Sequence, residues 1–188
     1  MKNDIIAIIG PSGSGKDTIM KKVIEKTNKV KRIVSYTTRP KREHEIDGED
    51  YHFITQEQFL KYIEEDKFVT FTCFNTWLYG VLEDDLETDK TNIGVFSIKD
   101  IYNMLDYASE KEDFKITIYL VETTDKERLM RQLAREYSPN IDEIIRRYEA
   151  DKKDFQPHYM DFPVIRIENN TREDFVDAVH TIINVNSL

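Results

Sequence analysis

The sequence predicts an α/β fold whose central sheet is mostly parallel, and three observations support this. Short β-branched runs alternate with amphipathic helical patterns along most of the chain, as they do in βα units. The first run, residues 5–9, is continuously apolar, which is typical of a strand covered on both faces. No internal repeat or Pro/Gly/Ser-rich linker divides the 188 residues, so we expect one compact protein.

The elements follow in chain order. After residues 5–9 come a glycine-dense turn and then a helix with one apolar face, formed by Ile19, Met20, Val23 and Ile24. Further strands are predicted at residues 32–36, 93–96, 114–121 and 163–167. Residues 35–90 interrupt the alternation because they are turn-rich and aromatic, and we interpret them as an inserted lobe.

Five more helices are predicted from caps and apolar spacing. Capping-box patterns start three of them: Thr55 with Gln58, Thr124 with Glu127, and Thr171 with Asp174. Apolar residues at positions i, i+3, i+4 and i+7 predict the other two: Ile98, Ile101, Tyr102 and Leu105, and then Ile141, Ile144, Ile145 and Tyr148.

Composition excludes several classes of protein. The chain has 36 acidic and 27 basic side chains, and its net charge of −9 argues against a nucleic-acid polymer as partner. Cys73 is the single cysteine, so no intramolecular disulfide can form, and we expect it to be packed between Phe71 and Phe74. No apolar run approaches the roughly 20 residues that span a bilayer. We therefore expect a cytoplasmic protein with no membrane partner.

The turn after the first strand matches a phosphate-binding loop: Gly10, Pro11, Ser12, Gly13, Ser14, Gly15 and Lys16. Glycines allow successive backbone N–H groups to converge on phosphate oxygens, and the following helix directs its positive end at the same anion. Lys16 can then reach the outer phosphates as a point charge.

The residue after Lys16 departs from the usual pattern, in which a Ser or Thr hydroxyl binds Mg²⁺. Asp17 stands there, with Thr18 next. A carboxylate can ligate Mg²⁺ directly or through water, so Asp17 is the candidate metal ligand. The alternative is that Asp17 only stabilises the helix N-terminus electrostatically.

A second candidate phosphate site lies in the predicted lobe. Between Glu25 and Glu43 there are seven basic residues and no acidic one. Residues 35–42 combine hydroxyls with Arg39 and Arg42, whose guanidinium groups can bind phosphate bidentately. The alternative is a solvated surface loop paired with the acidic residues that follow it.

These motifs together resemble guanylate kinase. The resemblance rests on the glycine loop and on three later patterns: Ser35-x-Thr37-Thr38-Arg39-x-x-Arg42, Glu45-x-Asp47-Gly48-x-Asp50-Tyr51-x-Phe53, and Tyr79-Gly80. It implies an ATP-dependent nucleoside monophosphate kinase with a P-loop core (residues 1–34, 91–123 and 155–188). The resemblance also implies a monophosphate-binding lobe (residues 35–90) and a helical lid (residues 124–154).

The resemblance also implies roles for individual residues. ATP, with Mg²⁺, would be bound by residues 10–18, and Asn169 would lie near its adenine. The α-phosphate of the acceptor would be held by Ser35, Arg39, Arg42, Tyr51 and Tyr79. Lys16 and the lid arginines Arg131, Arg135 and Arg147 would stabilise the transferred phosphoryl group.

Three positions that read guanine in the family differ in this chain. Thr70 replaces a glutamate, Val81 replaces a Ser or Thr, and Ser97 replaces an aspartate. Because lost hydrogen-bonding groups relax or redirect base choice, the acceptor could be GMP, dGMP or another nucleoside monophosphate.

Two other functions stay open at this point. Asp17 after the lysine also occurs in guanylate-kinase-like enzymes that phosphorylate ribose bisphosphate, although Tyr51 and Tyr79 favour a nucleotide. The fold also serves as a non-catalytic protein-binding domain, although such domains usually lack the glycine loop that this chain retains.

Overall fold

The computed structural model describes residues 3–43, 45–74, 76–111, 114–135, 138–156 and 160–188. Within them the chain forms nine strands and six α-helices: β1 (Asn3–Ile9), α1 (Lys16–Lys26), β2 (Val30–Arg32), β3 (Tyr36–Thr37), β4 (His52–Phe53), α2 (Gln56–Glu64), β5 (Phe68–Phe74), β6 (Trp77–Leu82), β7 (Thr91–Val95), α3 (Ile98–Ser109), β8 (Phe114–Glu122), α4 (Asp125–Ala134), α5 (Ile141–Asp154), β9 (Ile165–Glu168) and α6 (Arg172–Val185).

The strands form two sheets. Five strands are ordered β2-β7-β1-β8-β9, and the non-consecutive neighbours require crossover connections. β8 and β9 pair in parallel, with Tyr119 opposite Ile165. This mostly parallel sheet with flanking helices confirms the predicted fold class. The other sheet is ordered β4-β3-β6-β5 and contains antiparallel pairs on both sides of β6.

The chain divides into two compact units. The loop unit comprises residues 6–30, 95–98 and 117–188, and includes the glycine loop. The lobe unit comprises residues 31–94 and 99–116 together with the start of the chain up to Ile5. The predicted boundaries of core, lobe and lid remain predictions. No helix within the described ranges is long and apolar enough to cross a membrane.

The core of the loop unit is aliphatic. From Ile6 to Ile9 every side chain is at most 1% exposed, so this part of β1 is covered on both faces as predicted. Helix α6 packs against α1 and β9. The buried residues of the two helices are Ile19, Met20, Val23, Ala178, Val179 and Ile182. Each fully buried large aliphatic side chain contributes about 1.5–3 kcal/mol, which fixes β1 and α1 on either side of the glycine loop.

The core of the lobe unit is aromatic. Phe59 of α2 stacks on Phe68 of β5 with ring centroids 4.5 Å apart, and Leu82 completes this buried cluster. α2 begins with the predicted capping box, in which Thr55 Oγ1 accepts from the Gln58 N–H and Gln58 Oε1 accepts from the Thr55 N–H. The cap satisfies backbone donors and sets the start of the helix.

The prediction of one strand at residues 32–36 is wrong. β2 ends at Arg32, and the Ile33 N–H still bonds the Ile93 carbonyl at 2.8 Å. β3 begins at Tyr36 and pairs instead with β6, so the chain leaves one sheet and enters the other within a few residues. A continuous β-branched pattern does not reveal such a change of partner.

The prediction that Cys73 is packed is also wrong, because its side chain is exposed. β5 is the outer strand of its sheet, and burial is lost towards its C-terminal end. Phe71 and Phe74 are 40% and 51% exposed, so they do not enclose the thiol.

Candidate functional site

The glycine loop needs glycine at specific positions. Gly13 and Gly15 have φ of +80° and +92°, which disfavours other residues. A Cβ at Gly13 would lie 2.6 Å from the Arg128 carbonyl oxygen. A Cβ at Gly15 would overlap the Asn169 amide. The loop is therefore pressed against two other segments of the loop unit, which no larger residue would permit.

Asn169 and Arg131 support the loop through its backbone. Asn169 is buried and donates from Nδ2 to the Ser14 carbonyl at 2.7 Å. Arg131 donates to the Asn169 carbonyl at 2.8 Å and to the Ser14 carbonyl at 3.3 Å. Asn169 was predicted to lie near adenine, a role that remains a prediction, but its contact with the loop is direct.

Lys16 lies folded against its own loop. Its Nζ donates to the Gly10 carbonyl at 2.6 Å and to the Pro11 carbonyl at 3.0 Å. Burial lowers the pKa of Lys16 below its ordinary value, while the carboxylates of Asp17 and Asp151 act to raise it. Among the described residues these hydrogen bonds go to neutral carbonyls, so a phosphate would be a much stronger partner.

A cavity of about 640 Å³ opens beside the loop and α1. Its walls combine loop residues with side chains from α1, α4 and α5: Ser12, Gly13, Gly15, Lys16, Asp17, Thr18, Lys21, Arg131, Gln132, Arg135, Pro139, Asn140, Glu143, Ile144 and Arg147. The fold thus gathers most of the predicted ATP-binding and catalytic residues around one space. Gly10, Pro11 and Ser14 contribute through backbone hydrogen bonds of the loop.

The three candidate arginines differ in availability. Arg131 is committed to the carbonyls of Ser14 in the loop and of Asn169. Arg147 donates from Nε to Glu143 at 2.6 Å, and Glu143 also binds Arg146, so the two arginines lower the pKa of Glu143 to about 2. No hydrogen-bond or ion-pair partner for the Arg135 side chain is found in the described part of the chain. Of these three arginines, Arg135 therefore has the guanidinium with the fewest partners among the described residues.

The residues around Asp17 suit a magnesium ion that a nucleotide helps to hold. Mg²⁺ is usually bound by one or two carboxylates, water and substrate phosphate oxygens. Asp17 is exposed and lines the cavity next to Lys16. The described residues contain no group of three potential ligands among His, Cys, Asp and Glu. Asp17 therefore fits as a single protein ligand, with the remaining oxygens supplied by phosphate and water.

The lobe unit holds a cluster around Arg39. The Arg39 side chain is 6% exposed and binds Glu45 through two hydrogen bonds of 3.0 and 2.6 Å. Its guanidinium also lies over the rings of Tyr51 and Phe53, at 5.5 and 5.7 Å from their centroids. Hydrogen bonds from Arg39 lower the pKa of Glu45 below its ordinary value.

Three of the residues predicted to bind the acceptor's phosphate lie together in the structure: Arg39, Tyr51 and Tyr79. Tyr51 and Tyr79 have ring centroids 5.9 Å apart, and Tyr79 contributes a hydrogen bond that helps raise the pKa of Arg39, after the larger effect of Glu45. The Arg42 backbone N–H donates to Glu45 at 2.8 Å, while the Arg42 side chain is exposed. Ser35 contributes a backbone carbonyl that accepts from the His52 N–H.

The predicted base-reading positions are mostly apolar or already bonded. The buried Thr70 hydroxyl donates to Asp100 at 3.2 Å and accepts from the Asn103 amide at 3.4 Å. Val81 is buried opposite Thr70 in the β5–β6 ladder. Ser97, in the loop unit, is exposed just before α3. Sequence reasoning missed Asp100 and Asn103, whose spacing on α3 carries no recognisable motif.

Sequence reasoning also missed a contact between the loop and two side chains on α4 and α5. Asp151 accepts from the Ser12 N–H, and Arg128 donates to the Ser12 carbonyl. Arg128 lies among several other charged residues of α4 and α5, so the sequence does not distinguish it. Asp151 gave no local signal, because its partner Ser12 is 139 residues away in sequence.

Comparisons with known proteins agree with this geometry. Residues 2–186 match the family model described as guanylate kinase. The guanylate kinase of Thermotoga maritima is 34% identical over 97% of this chain and 87% of its own length. That of Mycoplasmopsis pulmonis is 30% identical over 97% of this chain and 94% of its own length. The crystal structure of a guanylate kinase from Anaplasma phagocytophilum superposes with a TM-score of 0.68 at 19% identity, covering 98% of this chain and 86% of that one.

Proposed function

The chain belongs to the guanylate kinase family and is a nucleoside monophosphate kinase, and from this premise we propose how its residues divide the reaction. ATP donates its γ-phosphoryl group to GMP, dGMP or another nucleoside monophosphate, giving ADP and the diphosphate. The predicted alternatives, a sugar-phosphate kinase and a non-catalytic binding domain, are not favoured by the relatives. The predicted cytoplasmic location stays a prediction.

The proposal for the ATP site is supported by one observation: the loop, Lys16 and three arginines line the same cavity. Phosphoryl transfer requires positioning and charge stabilisation more than a nucleophilic side chain. The loop N–H groups hold the ATP phosphates, and Lys16 exchanges its carbonyl partners for phosphate oxygens. Asp17 would hold a magnesium ion together with phosphate oxygens and water, and such an ion would supply neutralisation of the phosphate charge.

Arg135 and Arg147 stabilise the phosphoryl group as charge spreads over its oxygens. Arg135 needs to break no recorded ion pair within the described residues. Arg147 uses Nε for Glu143, and its terminal nitrogens remain suitable for a bidentate contact with phosphate. Arg131 acts mainly through the loop backbone, which it holds by the Ser14 carbonyl.

The acceptor's α-phosphate binds at the Arg39 cluster in this proposal. Arg39 provides the guanidinium fork, Tyr51 and Tyr79 provide phenol hydroxyls, and the exposed Arg42 adds a second guanidinium. Ser35 provides a further hydroxyl. Glu45 competes with the phosphate for Arg39 but also orients the fork, since it binds both terminal nitrogens.

We expect this site to discriminate between bases less strongly than a site in which two carboxylates bind the base. Thr70 offers one hydroxyl that is already shared by Asp100 and Asn103, and Val81 offers none. A site built to hydrogen-bond its substrate rejects the wrong one by about 10⁴–10⁵-fold, whereas a site without those groups loses this penalty.

A coupled assay with GMP, dGMP, AMP, CMP, UMP and dTMP tests the proposal. We expect turnover with guanine nucleotides and with at least one other base. A double variant, Thr70→Glu with Asp100→Asn, moves the carboxylate from α3 to the strand position where the family has a glutamate, and it should increase the preference for GMP by about tenfold or more. Cys73→Glu, on the exposed end of the same strand, is the matched control. A wild-type preference for GMP above about 10⁴-fold would contradict weakened discrimination.

A further inference from the structure

Two side chains clamp one residue of the phosphate loop. Asp151 of α5 accepts from the Ser12 N–H at 2.8 Å, and Arg128 of α4 donates from Nε to the Ser12 carbonyl at 3.0 Å. The two side chains bind each other, with Arg128 Nη2 and Asp151 Oδ2 2.7 Å apart. The result is a closed ring of three hydrogen bonds that includes both backbone polar groups of Ser12.

The clamp is largely removed from water. The Arg128 side chain is 5% exposed and that of Asp151 13%. The third guanidinium nitrogen of Arg128, Nη1, binds Asp125 at 3.1 Å, and the centroid of the Tyr148 ring lies 5.4 Å from the guanidinium. Removing an ion pair from water has a desolvation cost that often offsets the mutual attraction, so stability alone is a weak explanation for this pair.

The position of the clamp indicates that it acts through the loop. Neither Arg128 nor Asp151 lines the cavity, whereas Ser12 and Gly13 do. Gly13 has a positive φ, and glycine has little intrinsic preference for one backbone conformation. The hydrogen bonds from Arg128 and to Asp151 therefore fix a backbone orientation at Ser12 that the neighbouring glycine does not fix by itself.

We propose that Arg128 and Asp151 are positioning residues that hold the Ser12 peptide groups in the orientation required for ATP phosphates, an inference that rests on the proposed function. The clamp also fastens α5 to the loop. Because α5 carries Arg147, the same contacts set the distance between that arginine and the phosphates.

Kinetics of single variants separate positioning from folding. We expect Asp151→Ala to raise the KM for ATP by about tenfold while the KM for the monophosphate changes less than about twofold. Asp151→Asn retains an oxygen that accepts from Ser12, so it should recover a large part of the ATP affinity. Glu149→Ala, exposed on the same helix, and Lys126→Ala, exposed on α4, are matched controls that should leave both constants unchanged.

A double variant guards against a trivial loss of folding. Removing one partner leaves a buried unpaired charge, whereas Arg128→Leu with Asp151→Ala replaces both charges by apolar groups. We expect this variant to keep its thermal unfolding midpoint and still show about a tenfold higher KM for ATP. An unchanged KM for ATP in that variant would overturn the proposal. So would tighter ATP binding by Asp151→Ala, since Asp151 would then compete with phosphate for the Ser12 N–H.

Calorimetric titration of ADP distinguishes this inference from the proposed function. If the wild-type protein neither binds ADP nor turns over ATP with any monophosphate, the proposed function fails. If the wild type is active and binds ADP, but the Asp151 and double variants bind ADP equally well, only the clamp fails.

Discussion

In the loop unit the cation Lys16 bonds two backbone carbonyls, whereas in the lobe unit the cation Arg39 is held by the carboxylate of Glu45. Both cations are candidates for binding phosphate. The first has only neutral partners in its recorded hydrogen bonds, and the second already has a charge-matched one. A bond between two ionised groups gains Coulomb attraction that an ammonium bonded to a neutral carbonyl lacks, so the two units offer a phosphate different gains.

The difference indicates two ways of preparing an anion site. A phosphate at the glycine loop replaces the two carbonyl partners of Lys16 with an opposite charge and gains backbone donors, so its attraction to Lys16 has no counterpart in the protein's own contacts. A phosphate at Arg39 shares a guanidinium that Glu45 already orients. We therefore expect removal of Lys16 to affect the reaction more than modification of Arg39.

Replacing Lys16 gives the largest expected effect. Lys16→Met should lower kcat by about 10²–10³-fold, a range typical for loss of one charge-stabilising donor. Among the described residues the hydrogen bonds of Lys16 go to two carbonyls of its own loop, so the thermal unfolding midpoint should change little. Lys22→Met, which removes an exposed lysine paired with Glu25 on the same helix, is the control. Unchanged turnover of Lys16→Met would contradict the importance assigned to the loop site.

Modification of Arg39 tests the lobe site with a smaller expected effect. Arg39→Lys keeps the charge but loses the fork that binds Glu45 and phosphate together. We expect the KM for the monophosphate to rise by about tenfold, with the KM for ATP unchanged. Lys41→Ala, an exposed neighbour in the same basic segment, should have little effect. A larger loss of ATP affinity than of monophosphate affinity would contradict the assignment of Arg39 to the acceptor.

The parts of the fold that could be predicted from sequence are those set by neighbouring residues. The capping boxes at Thr55 and Thr171 both form, since their donors and acceptors lie three residues apart. The buried strand at the start of β1 is equally local. The change of sheet after Ile33 could not be predicted, because it depends on which strands, β7 or β6, are near each residue.

The same distinction applies to the candidate site. The glycine loop is contiguous in sequence, so its residues could be assigned from one motif. Asp151 and Arg128 reach Ser12 from helices more than a hundred residues away, and no spacing rule links them. Their identity as partners depends on the packing of α4 and α5 together, which only the folded structure gives.

The smallest expected effect is a pH dependence that separates the two kinds of site. Arg39 lowers the pKa of Glu45, so the folded state holds Glu45 ionised at pH values where the unfolded chain protonates it. The stability this confers is fully present above the ordinary pKa of 4.5 and is lost as pH falls through the lowered value. Glu45→Gln removes this contribution. We therefore expect the difference in free energy of unfolding between wild type and variant to be larger at about pH 7 than at about pH 3, measured by urea denaturation.

Glu43→Gln, exposed and two residues away, is the control that should show no such dependence. If both variants behaved alike, Glu45 would not be engaged with Arg39 in solution, and the Arg39 fork would then be as free to receive phosphate as the Lys16 ammonium.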